Sequence, residues 1–131
     1  MGRVALDADV VIAFLDAGDD QHARAVELLR PWLGAGGEIV IGASVYAEVM
    51  VRPLARGAGV RVDEFIDAIG ATVFAIDREL ARRAAGLRAR HRSLRLPDAL
   101  SIATALTAGA ELVTLDQRLR RVARSEQETQ Q

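Results

Sequence analysis

Four short apolar runs, at residues 3–6, 38–41, 73–76 and 111–115, alternate along the chain with longer stretches of helical pattern. This alternation constrains the fold more than any other feature. A strand, a helix and a further strand close as a βαβ unit, so the strands are expected to run parallel with right-handed crossovers. At 131 residues, half of them hydrophobic, the chain has apolar surface for one core and little for a second. The expected fold class is α/β, a three-layer α/β/α sandwich around a small, mainly parallel sheet of four strands, or five. One domain is expected over residues 1–124, and the last seven residues, SEQETQQ, read as a disordered polar tail.

The helical stretches carry their own punctuation. A first helix runs to Ala17 and stops at Gly18, and Asp20 is placed to cap a second over residues 21–33, ended by Pro31 and the glycines Gly34, Gly36 and Gly37. Ser44 can cap a third through Val51, which Pro53 kinks or ends. Residues 61–71 place Val62, Phe65, Ile66 and Ile69 on one face. Asp77 caps an Arg-rich helix to about Arg90, and Pro97 opens another that reaches Ala108.

Composition removes several chemistries. Without cysteine there is no disulfide, thiolate zinc site or thiol nucleophile, which fits a reducing interior. No apolar run reaches the roughly 18 residues of a membrane span, and Arg3 followed by a strand is not a secretory signal, so a soluble cytoplasmic protein is expected. The net charge of −1 hides a polarised chain: residues 1–77 hold 6 Arg against 12 acids, and residues 78–131 hold 11 Arg against 6. Every basic residue is Arg. A catalytic lysine, for Schiff-base chemistry or for holding a transferring phosphoryl group, is therefore excluded.

The first strand runs into VALDADVVIAFLD, where Asp7 and Asp9 interrupt residues that should be burying themselves. Asp7 can be the nucleophile of an Asp-x-Asp phosphatase, with Asp9 as acid/base partner, or one ligand of a metal site. The missing lysine weakens the first reading. In a parallel sheet all strand C-termini emerge on one edge. Asp7 ends the first strand there and Asp116 the fourth; Glu48 interrupts VYAEVMV after the second, and Asp98 follows Pro97 at a helix start. Singly, each has an ordinary role: Asp98 as a first-turn helix acid, Glu48 reaching out to solvent, and Asp116 capping the helix that follows. Asp77, also at a strand end, is taken as a cap and nothing more. Together, acids converging on one edge stay ionised only if a cation neutralises them. All-oxygen ligands suit Mg²⁺ or Mn²⁺, which activates water for in-line attack on a phosphodiester. A His acid/base pair has little support, since His22 and His91 both read as surface residues.

VALDADVVIAFLD, SVYAEVM, LPDALSIATAL and LVTLDQRL, in this order, resemble a PIN-domain protein of the VapC-like toxins of type II toxin–antitoxin pairs, over residues 3 to about 124. The resemblance implies a Mg²⁺- or Mn²⁺-dependent endoribonuclease with its acidic site on Asp7, Glu48, Asp98 and Asp116. Asp7, Asp98 and Asp116 would hold the metal directly or through water, and Glu48 would complete the shell or orient the attacking water. The products would carry 5′-phosphate and 3′-hydroxyl ends. Where the family commonly has Ser, Thr or Asn, this chain has Asp9, which strengthens metal binding, shifts its geometry or merely caps the following helix. Thr114 occupies the family's Ser/Thr position beside the last Asp, and two residues apart on a strand the pair would face the same way.

An acidic pocket repels RNA, so positive charge is expected beside it. Arg92 and Arg95, in the loop before Asp98, are best placed to hold phosphates. With few aromatic residues for base stacking, structured RNA such as tRNA or rRNA is the expected substrate class. The resemblance further implies a homodimer restrained by a cognate antitoxin protein. Its groove is expected at Trp32 and Leu33 beside Phe65, Ile66 and Ile69, with an antitoxin arginine entering the acidic pocket. The alternative is a PIN-fold RNA-binding or scaffold module with weak or no catalysis.

Overall fold

Four parallel strands form the middle layer of the structure, a computed structural model that describes residues 2–34 and 36–130. In chain order the elements are β1 (Arg3–Leu6), α1 (Ala8–Leu15), α2 (His22–Leu29), β2 (Glu38–Gly42), α3 (Ala43–Ala55), α4 (Gly59–Ala68), β3 (Thr72–Phe74), α5 (Arg78–Arg90), α6 (Leu96–Ala108), β4 (Glu111–Val113) and α7 (Gln117–Thr129), with a 3₁₀ turn at Arg30–Trp32. The sheet order is β3-β2-β1-β4. β1 pairs with β2 from Arg3 opposite Glu38 to Leu6 opposite Ile41, and on its other edge Leu6 lies opposite Val113 of β4.

Alternate strand residues face opposite sides, and both sides are buried. Val4, Leu6, Ile39, Ile41 and Val113 join a core with Val10, Leu29, Val45 and Val62 from α1 to α4. Ala5, Val40 and Leu112 join a second core with Leu80, Leu87, Ile102 and Leu119 from α5 to α7. Burial on both faces makes the sandwich three-layered, and it is why these strands read as apolar runs rather than alternating ones. α6 sits so close to the sheet that a Cβ on Gly42 would lie 2.9 Å from Thr104 Oγ1, so glycine is required there. Gly109 ends the helix in the left-handed conformation, φ 62°. Among the described residues no helix is long and apolar enough to cross a membrane.

Several local expectations change. Asp20 is not a cap: α2 starts after Gln21, which offers no side-chain cap, and the preceding turn is closed by Asp19 Oδ1 accepting the Gln21 N–H at 2.8 Å. Ser44 lies inside α3, and the helix passes Pro53 to end at Ala55. Trp32, Leu33, Phe65 and Ile69 are packed against the first core with Ile66 buried in it, and the Phe14 and Phe65 rings lie 5.2 Å apart, so core packing takes up part of each side chain expected to form the groove.

The largest change concerns the polar C-terminus, where Ser125 to Thr129 continue α7 instead of forming a disordered tail, Gln131 lying outside the described residues. Leu119, Ala123 and Glu126 share the buried face of that helix. Glu126 accepts from Arg90 Nη2 at 3.0 Å and lies 2.7 Å from His91 Nε2, while Gln127 Nε2 donates to the Ala110 carbonyl at 2.7 Å. The polar side chains that suggested disorder are the groups that dock the helix. His91 is thereby half-buried rather than a free surface residue, and His22 Nδ1 likewise meets the Ala13 carbonyl at 2.8 Å.

Candidate active site

The strand order reverses beside β1, with β2 and β3 on one side and β4 on the other, and such a switch leaves a crevice at the strand C-termini. Asp7 stands in it. Its N–H donates to the Val113 carbonyl at 2.9 Å, prolonging the β1–β4 ladder by one step, and its side chain caps α1 by accepting from the Ala8 N–H at 3.0 Å. Ser101 Oγ donates to Asp7 Oδ1 at 3.0 Å and Thr114 Oγ1 to Oδ2 at 2.9 Å. All these donors are neutral. Burial therefore dominates and holds the Asp7 carboxyl above its ordinary range; the hydrogen bonds partly offset this, and the charge of Asp98 adds to it.

Asp9, in the first turn of α1, points into the same corner. Both its oxygens lie 3.2 Å from the Leu115 N–H, which ties α1 to the turn after β4. Burial first and the charge of Asp7 second push it up to about 6. Thr114 has one proton, directed at Asp7, and its oxygen accepts the Asp116 N–H at 3.1 Å. Asp9 Oδ2, 3.2 Å from Thr114 Oγ1, is the alternative acceptor for that same proton. Thr114 is buried and lies beyond the end of β4, so it does not share a strand face with Asp116.

Asp98 comes from α6, where its carboxylate makes only long contacts: 3.4 Å from the Arg95 N–H and 3.9 Å from Arg95 Nε. Glu48 comes from α3. Although its side chain reaches solvent, partial desolvation, then the charges of Asp7 and Asp98, raise its carboxyl, with Arg95 acting in the opposite sense. Asp7, Asp9, Glu48 and Asp98 thus form one mutually repelling group. Asp116 is used differently: its Oδ1 accepts the Leu119 N–H at 3.1 Å and caps α7. Of the two loop arginines, Arg95 belongs to this corner, whereas Arg92 is simply exposed.

Sequence reasoning missed Ser101. It is a buried hydroxyl one helical turn beyond Asp98 in LPDALSIATAL, and that spacing on an apolar helix was the available signal.

The donor set suits a hard divalent cation, being carboxylate and hydroxyl oxygen with neither Cys nor His, and repulsion among the acids supplies the reason to bind one. Among the described residues, however, no three Asp, Glu, His or Cys side chains stand close enough together to hold an ion as they are. The chemistry fits; the carboxylates would have to turn inward around the cation.

Residues 4–125 match the family model described as PIN domain. No curated protein matches the sequence. Among solved structures, VapC20 of Mycobacterium tuberculosis, a sarcin-ricin loop cleaving toxin, is similar with TM-score 0.73 and 21% identity, over 90% of this chain and 93% of that one. A toxin–antitoxin complex from Klebsiella pneumoniae gives TM-score 0.69 and 25% identity over 88% of each chain. VapBC2 from Rickettsia felis, bound to a DNA fragment from its promoter, gives 0.70 and 17% over 92% of each.

Proposed function

Because the chain belongs to the PIN-domain family, we propose that it is a divalent-metal-dependent endoribonuclease and the toxin of a toxin–antitoxin pair. The observation that carries this reading is the setting of Asp7: a half-buried, desolvated carboxylate with no cationic partner among the described residues, crowded by Asp98 at the switch in strand order. Natural folds keep such a group where function requires it. The likeness to a sarcin-ricin loop cleaving toxin and to chains from toxin–antitoxin complexes supports the activity and an antitoxin partner.

Asp7 and Asp98 would hold the ion, with Asp116 reaching it through water. When bound, the cation supplies charge stabilisation for the phosphoryl oxygens and acidifies water. The chain's own residues do the rest. Ser101 and Thr114 donate to the two oxygens of Asp7 and so fix the direction in which its remaining lone pairs point. Glu48, solvent-reaching and of raised basicity, is placed to orient a water and take its proton. Arg95 offsets the acids beside it and is the first contact for an incoming phosphate. Asp9 holds the α1 and β4 sides of the crevice together through the Leu115 N–H.

The test is cleavage of purified RNA with and without EDTA, by the wild type and by Asp98→Asn. Metal-dependent cleavage that the substitution abolishes is the expected result, and activity retained in EDTA would overturn the reading. A second reading, a PIN-fold RNA-binding module without catalysis, is favoured by the side chains not standing together as a cage. It predicts RNA binding with no cleavage in Mg²⁺ or Mn²⁺.

A further inference from the structure

Glu48 and Arg52 stand one helical turn apart on α3, about 6 Å along its axis, and Arg56 follows as the C-cap residue of that helix. All three line a groove of about 740 Å³ with an otherwise largely apolar wall, including Ile12, Leu15, Val49 and Val62, that also takes in Arg61 from the first turn of α4 and Asp16 after α1. Asp16 accepts the Gly18 N–H at 2.9 Å and is held in its own turn. Beyond Glu48 the groove therefore has three guanidinium groups against one acid. Among the described residues none of the three lies within 4 Å of a carboxylate, whereas Arg3, Arg24 and Arg90 are each paired. They are left to take anions from outside.

We propose that this groove is the path by which a single-stranded segment of RNA reaches the acidic centre, with Arg52 and Arg56 holding successive backbone phosphates and Arg61 a further one. The proposal rests on the nuclease reading and names the residues that present the substrate to that site. One feature favours RNA over an acidic peptide: the run of guanidinium groups ends at Glu48, one of the site acids, where the strand being cut must lie but where a peptide carboxylate gains nothing. A loop or tail of a structured RNA meets the requirement, because its bases and backbone are already splayed from the duplex.

The decisive measurement is fluorescence anisotropy of a fluorescein-labelled 12-nucleotide oligouridine RNA bound to the full chain in EDTA, over a series of salt concentrations. Removing two phosphate contacts should lower the slope of log Kd against log salt by about 1.4, from roughly 0.7 per phosphate on a single strand. Arg52→Gln/Arg56→Gln is expected to show that loss, and Arg52→Lys/Arg56→Lys to recover most of it. The control Arg121→Gln/Arg124→Gln removes the same charge from exposed positions on α7 and should leave the slope unchanged. An unaltered slope in the groove variant, or an equal fall in the control, overturns the proposal. So does loss of antitoxin binding with the slope intact, which assigns the groove to a protein partner. Binding in EDTA requires no cleavage, so a chain that cuts no RNA yet shows the slope change loses the nuclease reading and keeps the path.

Discussion

Asp7, at the C-terminal rim of the sheet, and Glu126, on α7, are both shielded carboxylates, and the fold treats them in opposite ways. Glu126 has Arg90 at 3.0 Å and His91 at 2.7 Å; burial raises its carboxyl, but those partners outweigh it and the net shift is downward. Asp7 has hydroxyl and amide donors but other carboxylates for neighbours, and its net shift is upward. One acid is built to stabilise the protein. The other is kept at a cost, the pattern expected of a group retained for chemistry.

This contrast can be broken in four ways. Asp7→Asn should reduce cleavage by about two orders of magnitude or more while leaving the urea midpoint unchanged or higher, since a destabilising charge is removed; a large loss of stability would show Asp7 to be structural. Glu126→Ala should lower stability by about 2 kcal/mol, because a buried carboxylate and its hydrogen bonds to Arg90 and His91 are lost. The Glu126 contribution has a defined pH window: with its folded pKa below the ordinary 4.5, it is present above that value and disappears as pH falls through the folded pKa. Equal acid stability of wild type and Glu126→Gln would show the anchor to be without effect.

A smaller effect is expected from the cation. Mg²⁺ at roughly ten times its dissociation constant should raise stability by about 1.4 kcal/mol in the wild type and by less in Asp7→Asn, read as shifts in melting temperature. The same shift in both would place the ion elsewhere. The smallest effect belongs to Asp9. Its folded pKa of about 6 lies above the ordinary 3.8, so between those values the folded state binds more protons than the unfolded one. Stability should therefore fall as pH rises from about 4 to about 6, by about 1 kcal/mol once partial solvent exposure is discounted. Asp9→Asn should flatten that slope, and an unchanged profile would remove Asp9 from the repelling group.

The legible part of the site was the part that lies close to element ends. Asp7 and Asp98 sit where a strand meets a helix or a helix begins, so their placement on one edge follows from a parallel sheet alone. Glu48 was visible as a charge inside an apolar helix. Asp116 was legible only as two competing roles, and the hydrogen bond to the Leu119 N–H shows the capping role in use. The C-terminal segment was misjudged because polarity was taken for disorder, although Glu126 and Gln127 reach across to α5 and the turn before β4.

By itself the sequence determined the order and type of the elements, the parallel sheet with two buried faces, and the crowding of acids at its C-terminal rim, because periodicity and element ends are local properties. Tertiary structure decided the company each charge keeps. Ser101 meets Asp7 across 94 residues, His91 meets Glu126 across 35, and Arg52 opens beside Glu48 into a groove formed by three separate elements. Such distant encounters depend on how whole helices pack against the sheet, and no window of a few residues carries that information.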